Sequence, residues 1–366
     1  MRAVLALALF ASGALAHAAE DAPVLAIREL QTAQTAIAAG REAPGAQGAL
    51  LLRMADAWPK LDAAAWADGR NRRALAAYLL YGGDPRPVRA IAQAVPPDAE
   101  GGLVAGALAY RDGRLDEARA KLGPLDPRAL PPDLGGQVAL VQAALLPPED
   151  RAGVRARLDL ARLLMPGTLV EEAALRRQAF GGGAEGSAAG FADMVRRYRA
   201  RFRASAYADN FERAVAASFA ARWLAADETG RAALRDVAEE GSAADRAVVW
   251  AAVARRALLA GRPALAAEAA RRVTAEPAAD DGTRRAAGLY EAVAAELSGA
   301  PARLKTMGAD GLSPRDRALR AAALAVMNNV RAPLGPPPAA PRPPVQPDTR
   351  DALIARAAGL LAQSPP

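Results

Sequence analysis

The amino-acid sequence predicts an all-α fold, an α-solenoid of antiparallel helix pairs. Three observations lead there. Hydrophobic residues make up 52% of the chain but aromatics only 4%, and the apolar mass is mainly Ala and Leu, which favour helix over sheet. From about residue 23 to 331, Ala/Leu/Arg segments of helical length alternate with short Gly, Pro and Asp breaks, and none shows the sustained apolar–polar alternation of a strand. Two stretches carry the spacing of degenerate tetratricopeptide-like repeats. In the first, Gly106 is the small residue at a helix crossing, Gly113 the turn, and Glu117, Ala118 and Leu122 lie on the second helix. In the second, Trp250 opens the pair, Ala254 is the crossing residue, Gly261 the turn, and Ala266 and Ala270 the packing residues.

The N-terminus reads as an export signal over residues 1–18. Arg2 precedes the apolar run AVLALALFASGAL (3–15), and Ala14-Leu15-Ala16 and Ala16-His17-Ala18 are both A-x-A cleavage patterns. A helix of that length rises about 20 Å, short of the roughly 30 Å apolar core of a bilayer, so a cleaved signal is expected rather than a span. His17 is the only histidine, and cleavage either removes it or leaves it at the mature N-terminus. A positioned His base or His metal site is thereby excluded. The absence of Cys excludes disulfides, thiolate nucleophiles and Cys-based zinc sites.

Residues 19–331 are expected to form the helical-repeat domain. The helical segments run in order through VLAIRELQTAQTAIAAG (24–40), GALLLRMADAWPKLD (48–62), NRRALAAYLLYGGDP (71–85), RPVRAIAQAV (86–95), GGLVAGALAYRDG (101–113) and RLDEARAKLGPLDP (114–127). LGGQVALVQAALLPP (134–148) and EDRAGVRARLDLARLLMPG (149–167) follow. After the Pro166-Gly167 break, Thr168 with Glu171 three residues on forms a capping box for the next helix. Glu171 and Glu172 suit its positive end, Arg176 and Arg177 its negative end, and Leu169, Ala173 and Phe180 are expected on one face. Beyond a Gly-rich loop, FADMVRRYRARFRAS (191–205) is a basic helix, and Ser205 can cap AYADNFERAVAASFAARWLA (206–225). The last third holds segments at 245–261, 262–276, 280–299 and 313–330. Eight prolines between 333 and 347 then make a polyproline-type linker over 332–347. Residues 348–366 follow as a C-terminal amphipathic helix that either docks on the solenoid or serves as a tethered arm.

The chemistry-bearing patterns are weak. Gly181, Gly183 and Gly186 spell G-x-G-x-x-G, but the motif follows a helix where a dinucleotide site requires a strand. The acid pairs Glu149-Asp150, Glu171-Glu172, Glu239-Glu240 and Asp280-Asp281 each read as residues near a helix N-terminus. No G-x-S-x-G, P-loop or H-E-x-x-H is present. Three of the 47 cationic residues are Lys, and the net charge is +7. Arg196, Arg197, Arg199, Arg201 and Arg203 flank Tyr198 and Phe202, which at i,i+4 form one apolar edge for the core. The arginines are then either a solvated face or a surface for an acidic protein or cell-wall polymer. An enzyme, a metal, a cofactor and nucleic acid as a ligand are not expected.

PGTLVEEAALRR (166–177), the basic helix and FRASAYADNF (202–211) follow one another in an order that resembles the MotC family of motility (chemotaxis) proteins of alphaproteobacteria. The likeness extends through RNRRALAAYLLYGGDP (70–85), LPPDLGGQVALVQAALL (130–146) and ARLDLARLLMPG (156–167). The resemblance implies a periplasmic protein needed for flagellar rotation. It implies binding to the periplasmic part of MotB, the stator subunit that anchors to peptidoglycan, and so a scaffold or chaperone of the stator. The residues expected at that contact are Arg196, Arg197, Arg199, Arg201 and Arg203, with Glu171, Glu172, Arg176 and Arg177 beside them. The alternative is a general cell-envelope adaptor that binds cell-wall polymer or an outer-membrane assembly.

Overall fold

Local capping chemistry starts at least half of the α-helices among the described residues. Asp68, Asp84, Asp150, Thr168, Ser187, Asp227, Ser242 and Asp280 each accept a hydrogen bond from a first-turn backbone N–H with the side chain. Each such cap contributes about 1 kcal/mol. The computed structural model describes residues 22–181, 187–299 and 303–331. The segment read as a signal (1–18), the Pro-rich linker (332–347), the C-terminal helix (348–366), Gly183 and Gly186 lie outside the described residues.

Among the described residues there are sixteen α-helices, four short 3-10 turns and no strand. They run α1 (Ala22–Ala38), α2 (Gly45–Ala57), α3 (Gly69–Leu80), α4 (Pro85–Ala94), α5 (Leu103–Arg111), α6 (Leu115–Leu122), α7 (Pro132–Leu145) and α8 (Arg151–Leu164). The second half holds α9 (Leu169–Phe180), α10 (Ala188–Phe202), α11 (Ala208–Ala225), α12 (Glu228–Glu239), α13 (Ala243–Leu259), α14 (Pro263–Thr274), α15 (Asp281–Leu297) and α16 (Pro314–Arg331). Neighbours in sequence pack as hairpins, notably α5 with α6, α7 with α8, and α13 with α14. Alternate helices then stack: α3 on α5, α11 on α13, and α13 on α15. This is the packing of a helical solenoid, as the sequence predicts. No described helix is long and apolar enough to cross a membrane.

The two repeat-like stretches are the pairs α5/α6 and α13/α14. A Cβ on Gly106 would lie 2.7 Å from the Leu122 side chain, so the crossing requires glycine. Gly113 and Gly261 turn the chain at φ +76° and +66°. Ala254, Ala266 and Ala270 are fully buried at the second crossing. All four tryptophans are buried: Trp58 and Trp66 sit edge to face in the N-terminal half, and Trp223 and Trp250 do the same in the C-terminal half.

Three local details differ from the expectations. The helix α12 is absent from the segments set out above, although Asp227 caps it and Leu234 and Val237 anchor it in the core. Glu239 and Glu240 end that helix instead of starting one, because the next start belongs to Ser242 and Asp245, which form a true capping box. At α9 the capping box is displaced. Thr168 Oγ1 accepts from Val170 N–H at 3.2 Å, and Glu171 Oε2 accepts at 2.6 Å from Gly167 N–H, one residue before the cap. Gly167 adopts φ +76°, a backbone that presents its N–H to the carboxylate.

Candidate functional site

The core is two clusters that meet on α9. Val170 and Ala174 belong to the N-terminal cluster, which extends back to Ile27 and Leu30 of α1. Leu175 and Ala179 belong to the C-terminal cluster, which extends to Met327 of α16. Because α9 is a wall of both, it is covered nearly all round. Glu171 and Glu172 are 3% and 2% exposed, and Gln178 is buried with them. Leu169, Ala173 and Phe180, expected on one apolar face, are only half-buried.

Buried carboxylates need partners, and both have them. Glu172 Oε1 accepts from the Tyr198 hydroxyl at 2.6 Å, and Oε2 from the Ser205 hydroxyl at 2.8 Å. Burial pushes the Glu172 carboxyl above its ordinary range, and the two hydrogen bonds oppose that shift. Burial, and then the bond to Glu172, push the Tyr198 phenol up in turn. Glu171 pairs with Arg201 at 3.0 Å. Ser205 Oγ also accepts from Tyr207 N–H at 3.2 Å, and this turn leads into α11 without Ser205 being its cap residue.

The basic helix α10 divides as the i,i+4 reading expects, with one exception. Tyr198 and Phe202 are buried, and the Tyr198 ring stacks on Phe211 with centroids 3.5 Å apart. Arg197, Arg201 and Arg203 are exposed, and Arg196 is half-buried. Arg199 is the exception. It is 7% exposed, bonded to both oxygens of Glu212 at 2.9 and 2.8 Å and to the Val237 carbonyl. Arg196 pairs with Glu240 at 2.7 Å and Arg197 with Asp193 at 2.9 Å. Arg203 makes no ion pair among the described residues. Most of the positive charge on α10 is therefore matched within the chain. Glu171, Glu172 and Arg199 tie helices together, whereas Arg176, Arg177, Arg197, Arg201 and Arg203 keep solvent access.

Beside α9 lies a cleft of about 400 Å³ between α1, α2, the end of α3, α7 and α9. Arg176, Arg177 and Glu172 line it, together with Gln34, Gln47, Gln137 and Tyr207. The last four were not among the expected site residues. A signal existed for two of them: Gln34 and Gln137 are polar residues inside otherwise apolar helical stripes, and both are buried here. Tyr207 reaches the cleft because the turn at 203–207 lies against the end of α1, where Ala206 N–H meets the Ile37 carbonyl at 3.4 Å. Among the described residues no group of three or more acidic, His or Cys side chains is arranged to hold a metal.

Comparison with known proteins accords with the order of motifs noted above. The family model described as "Chemotaxis protein MotC" matches residues 1–362. A protein named "Chemotaxis protein MotC" from Rhizobium meliloti (strain 1021) is 33% identical over 341 residues, covering 88% of this chain and 76% of that protein. No solved structure matches the chain. With the family model matched over nearly its whole length, and a relative one-third identical across most of both chains, this helical solenoid belongs to the MotC family of chemotaxis proteins.

Proposed function

We propose that the protein is a periplasmic, non-catalytic scaffold or chaperone of flagellar motility that binds the periplasmic part of the stator subunit MotB. The observation that carries the reading is membership of a motility family by a chain built as a helical solenoid, a fold whose stacked helices offer extended surfaces to partner polypeptides. The basic start and apolar run at residues 2–15 support export. The solvent-accessible arginines Arg176, Arg177, Arg197, Arg201 and Arg203 are the partner-facing cations of the expected set. Glu171, Glu172 and Arg199 support that surface from inside.

Titration calorimetry of the exported chain against the periplasmic fragment of MotB tests this. A stoichiometric complex is expected, with a salt-sensitive affinity. Absence of heat and of co-elution, with both proteins folded, overturns direct stator binding. Salt-sensitive retention on purified peptidoglycan without MotB replaces it with an envelope adaptor.

A further inference from the structure

We infer that the cleft beside α9 is a binding site for an extended peptide segment carrying a carboxylate. The inference rests on the proposed role as a partner-binding scaffold and names the chemistry of the contact. Arg176 is the central observation. The residue is half-buried and lines the cleft, yet its guanidinium makes no hydrogen bond or ion pair among the described residues. It lies 6.0 Å from the centroid of the Tyr207 ring, and its charge helps to hold down the Glu172 pKa from within the same cleft wall. Arg177 beside it donates to the Leu140 carbonyl at 3.0 Å through a single nitrogen, which leaves most of its five N–H donors for a ligand.

Glu172 also lines the cleft, but Tyr198 and Ser205 occupy both its oxygens. Two cations therefore face one carboxylate whose hydrogen-bonding capacity is directed inward. The excess charge calls for an anion, and the planar forks of two arginines suit a carboxylate.

The rest of the lining selects a peptide as its carrier. Gln34 and Gln137 are 3% and 7% exposed. Gln34 Nε2 donates to Gln47 at 3.2 Å and Gln137 Nε2 to the Leu80 carbonyl at 2.8 Å. Both side-chain carbonyls lack a hydrogen-bond partner among the described residues. Amide oxygens left open in this way on residues that line the cleft are acceptors for backbone N–H groups of an extended chain. Leu140, Leu169 and Val170 give an apolar floor for one side chain. A volume of about 400 Å³ admits two or three residues.

Calorimetry with the exported chain tests the site against two probes. One is a set of overlapping dodecapeptides covering the periplasmic part of MotB; the other is a pool of acidic dodecapeptides unrelated to it. Each is paired with versions in which Asp and Glu become Asn and Gln. An acidic peptide is expected to bind and to lose at least tenfold in affinity when neutralised. The same loss is expected in the R176Q/R177Q variant, with less than a twofold change in Arg256→Gln, an exposed cation on α13 outside the expected contact set. Should the double variant lose its helical melting transition, Arg177→Gln alone, at an exposed position, carries the test with a threefold or larger loss. Equal binding of neutral and acidic peptides, indifference to the Arg substitutions, or no peptide bound at all overturns the site. Arg176-dependent binding of soluble muropeptides in place of acidic peptides overturns the occupant. The two proposals separate cleanly. Intact MotB fragment bound equally by wild type and R176Q/R177Q removes the cleft and keeps the stator role. Acidic peptides from the unrelated pool bound through Arg176, with MotB fragment ignored, keeps the cleft and removes the stator role.

Discussion

The Tyr198 hydroxyl donates to Glu172 Oε1 at 2.6 Å and so joins α10 to α9 through a carboxylate that is 2% exposed. The bond lies where the two halves of the core meet. Tyr198→Phe keeps the ring and its stack on Phe211 but removes the donor, leaving Ser205 as the one hydrogen-bond donor to this buried carboxylate among the described residues. Such a loss costs about 1–3 kcal/mol. Urea unfolding at pH 7 is expected to show a lowered midpoint with an unchanged slope. A midpoint equal to wild type would mean that water already satisfies Glu172.

The same carboxylate sets a pH dependence. Burial raises the Glu172 pKa in the folded chain above its ordinary value of 4.5. The folded state thus holds the proton more tightly than the unfolded state. The favourable contribution is fully present below the unfolded pKa and is lost as pH rises through the folded one. Glu172→Gln cannot ionise, and its amide can still serve both hydroxyl partners by accepting from one and donating to the other. The melting temperature of the variant relative to wild type is therefore expected to climb from pH 4 to pH 7. A difference that stays constant, or falls, would show that the hydrogen bonds outweigh desolvation.

Much of the architecture was legible because helix boundaries are written in short-range chemistry. Thr168, Asp150 and Asp280 announce helix starts, and Gly113 and Gly261 announce turns, each through its own backbone preference. The face that a helix buries was less legible. On α9 the Leu169, Ala173 and Phe180 stripe is the most apolar by spacing, but the helix is enclosed by two cores, so Glu171 and Glu172 are buried more deeply than the stripe. Arg199 belongs to a basic run in sequence and to the interior in space, because Glu212 on the next helix and the end of α12 close over it. The cleft could not be read in advance. Its lining comes from Gln34, Gln137, Arg176 and Tyr207, which only the stacking of distant helices brings together.

Sharing of α9 has a mechanical consequence. Leu175 is fully buried in the C-terminal cluster, and its neighbour Ala174 is fully buried in the N-terminal one. Leu175→Ala should cost about 2–5 kcal/mol. Since the weakened helix is common to both cores, protection against amide hydrogen exchange should fall in α3 and in α13 alike. Exchange confined to α13, with α3 as protected as in wild type, would mean that the N-terminal half is an independent unit of stability.

The crossing of α5 and α6 tests the repeat logic most directly. A Cβ at Gly106 would meet Leu122 Cδ2 and Cγ at 2.7 Å and Lys121 Cβ at 3.0 Å. Leu122 is fully buried and has no room to withdraw. Gly113, in the turn between the same helices, has nothing within 4 Å of its would-be Cβ, and its constraint is only the backbone at φ +76°. The two glycines are thus required for different reasons, and the reasons predict different responses. Gly113→Ala should cost about 1 kcal/mol from backbone strain, whatever stands at position 122. Gly106→Leu should cost more than that, because it forces the helices apart. Shortening the opposing side chain in the G106L/L122A double variant should then recover space. That double variant is expected to be more stable than the sum of its single effects by about 1 kcal/mol or more, while G113A/L122A is additive. Thermal or urea unfolding of the two cycles measures both. Additivity at Gly106 would show that the helix pair accommodates a side chain by sliding, and that its close approach does not depend on the small residue.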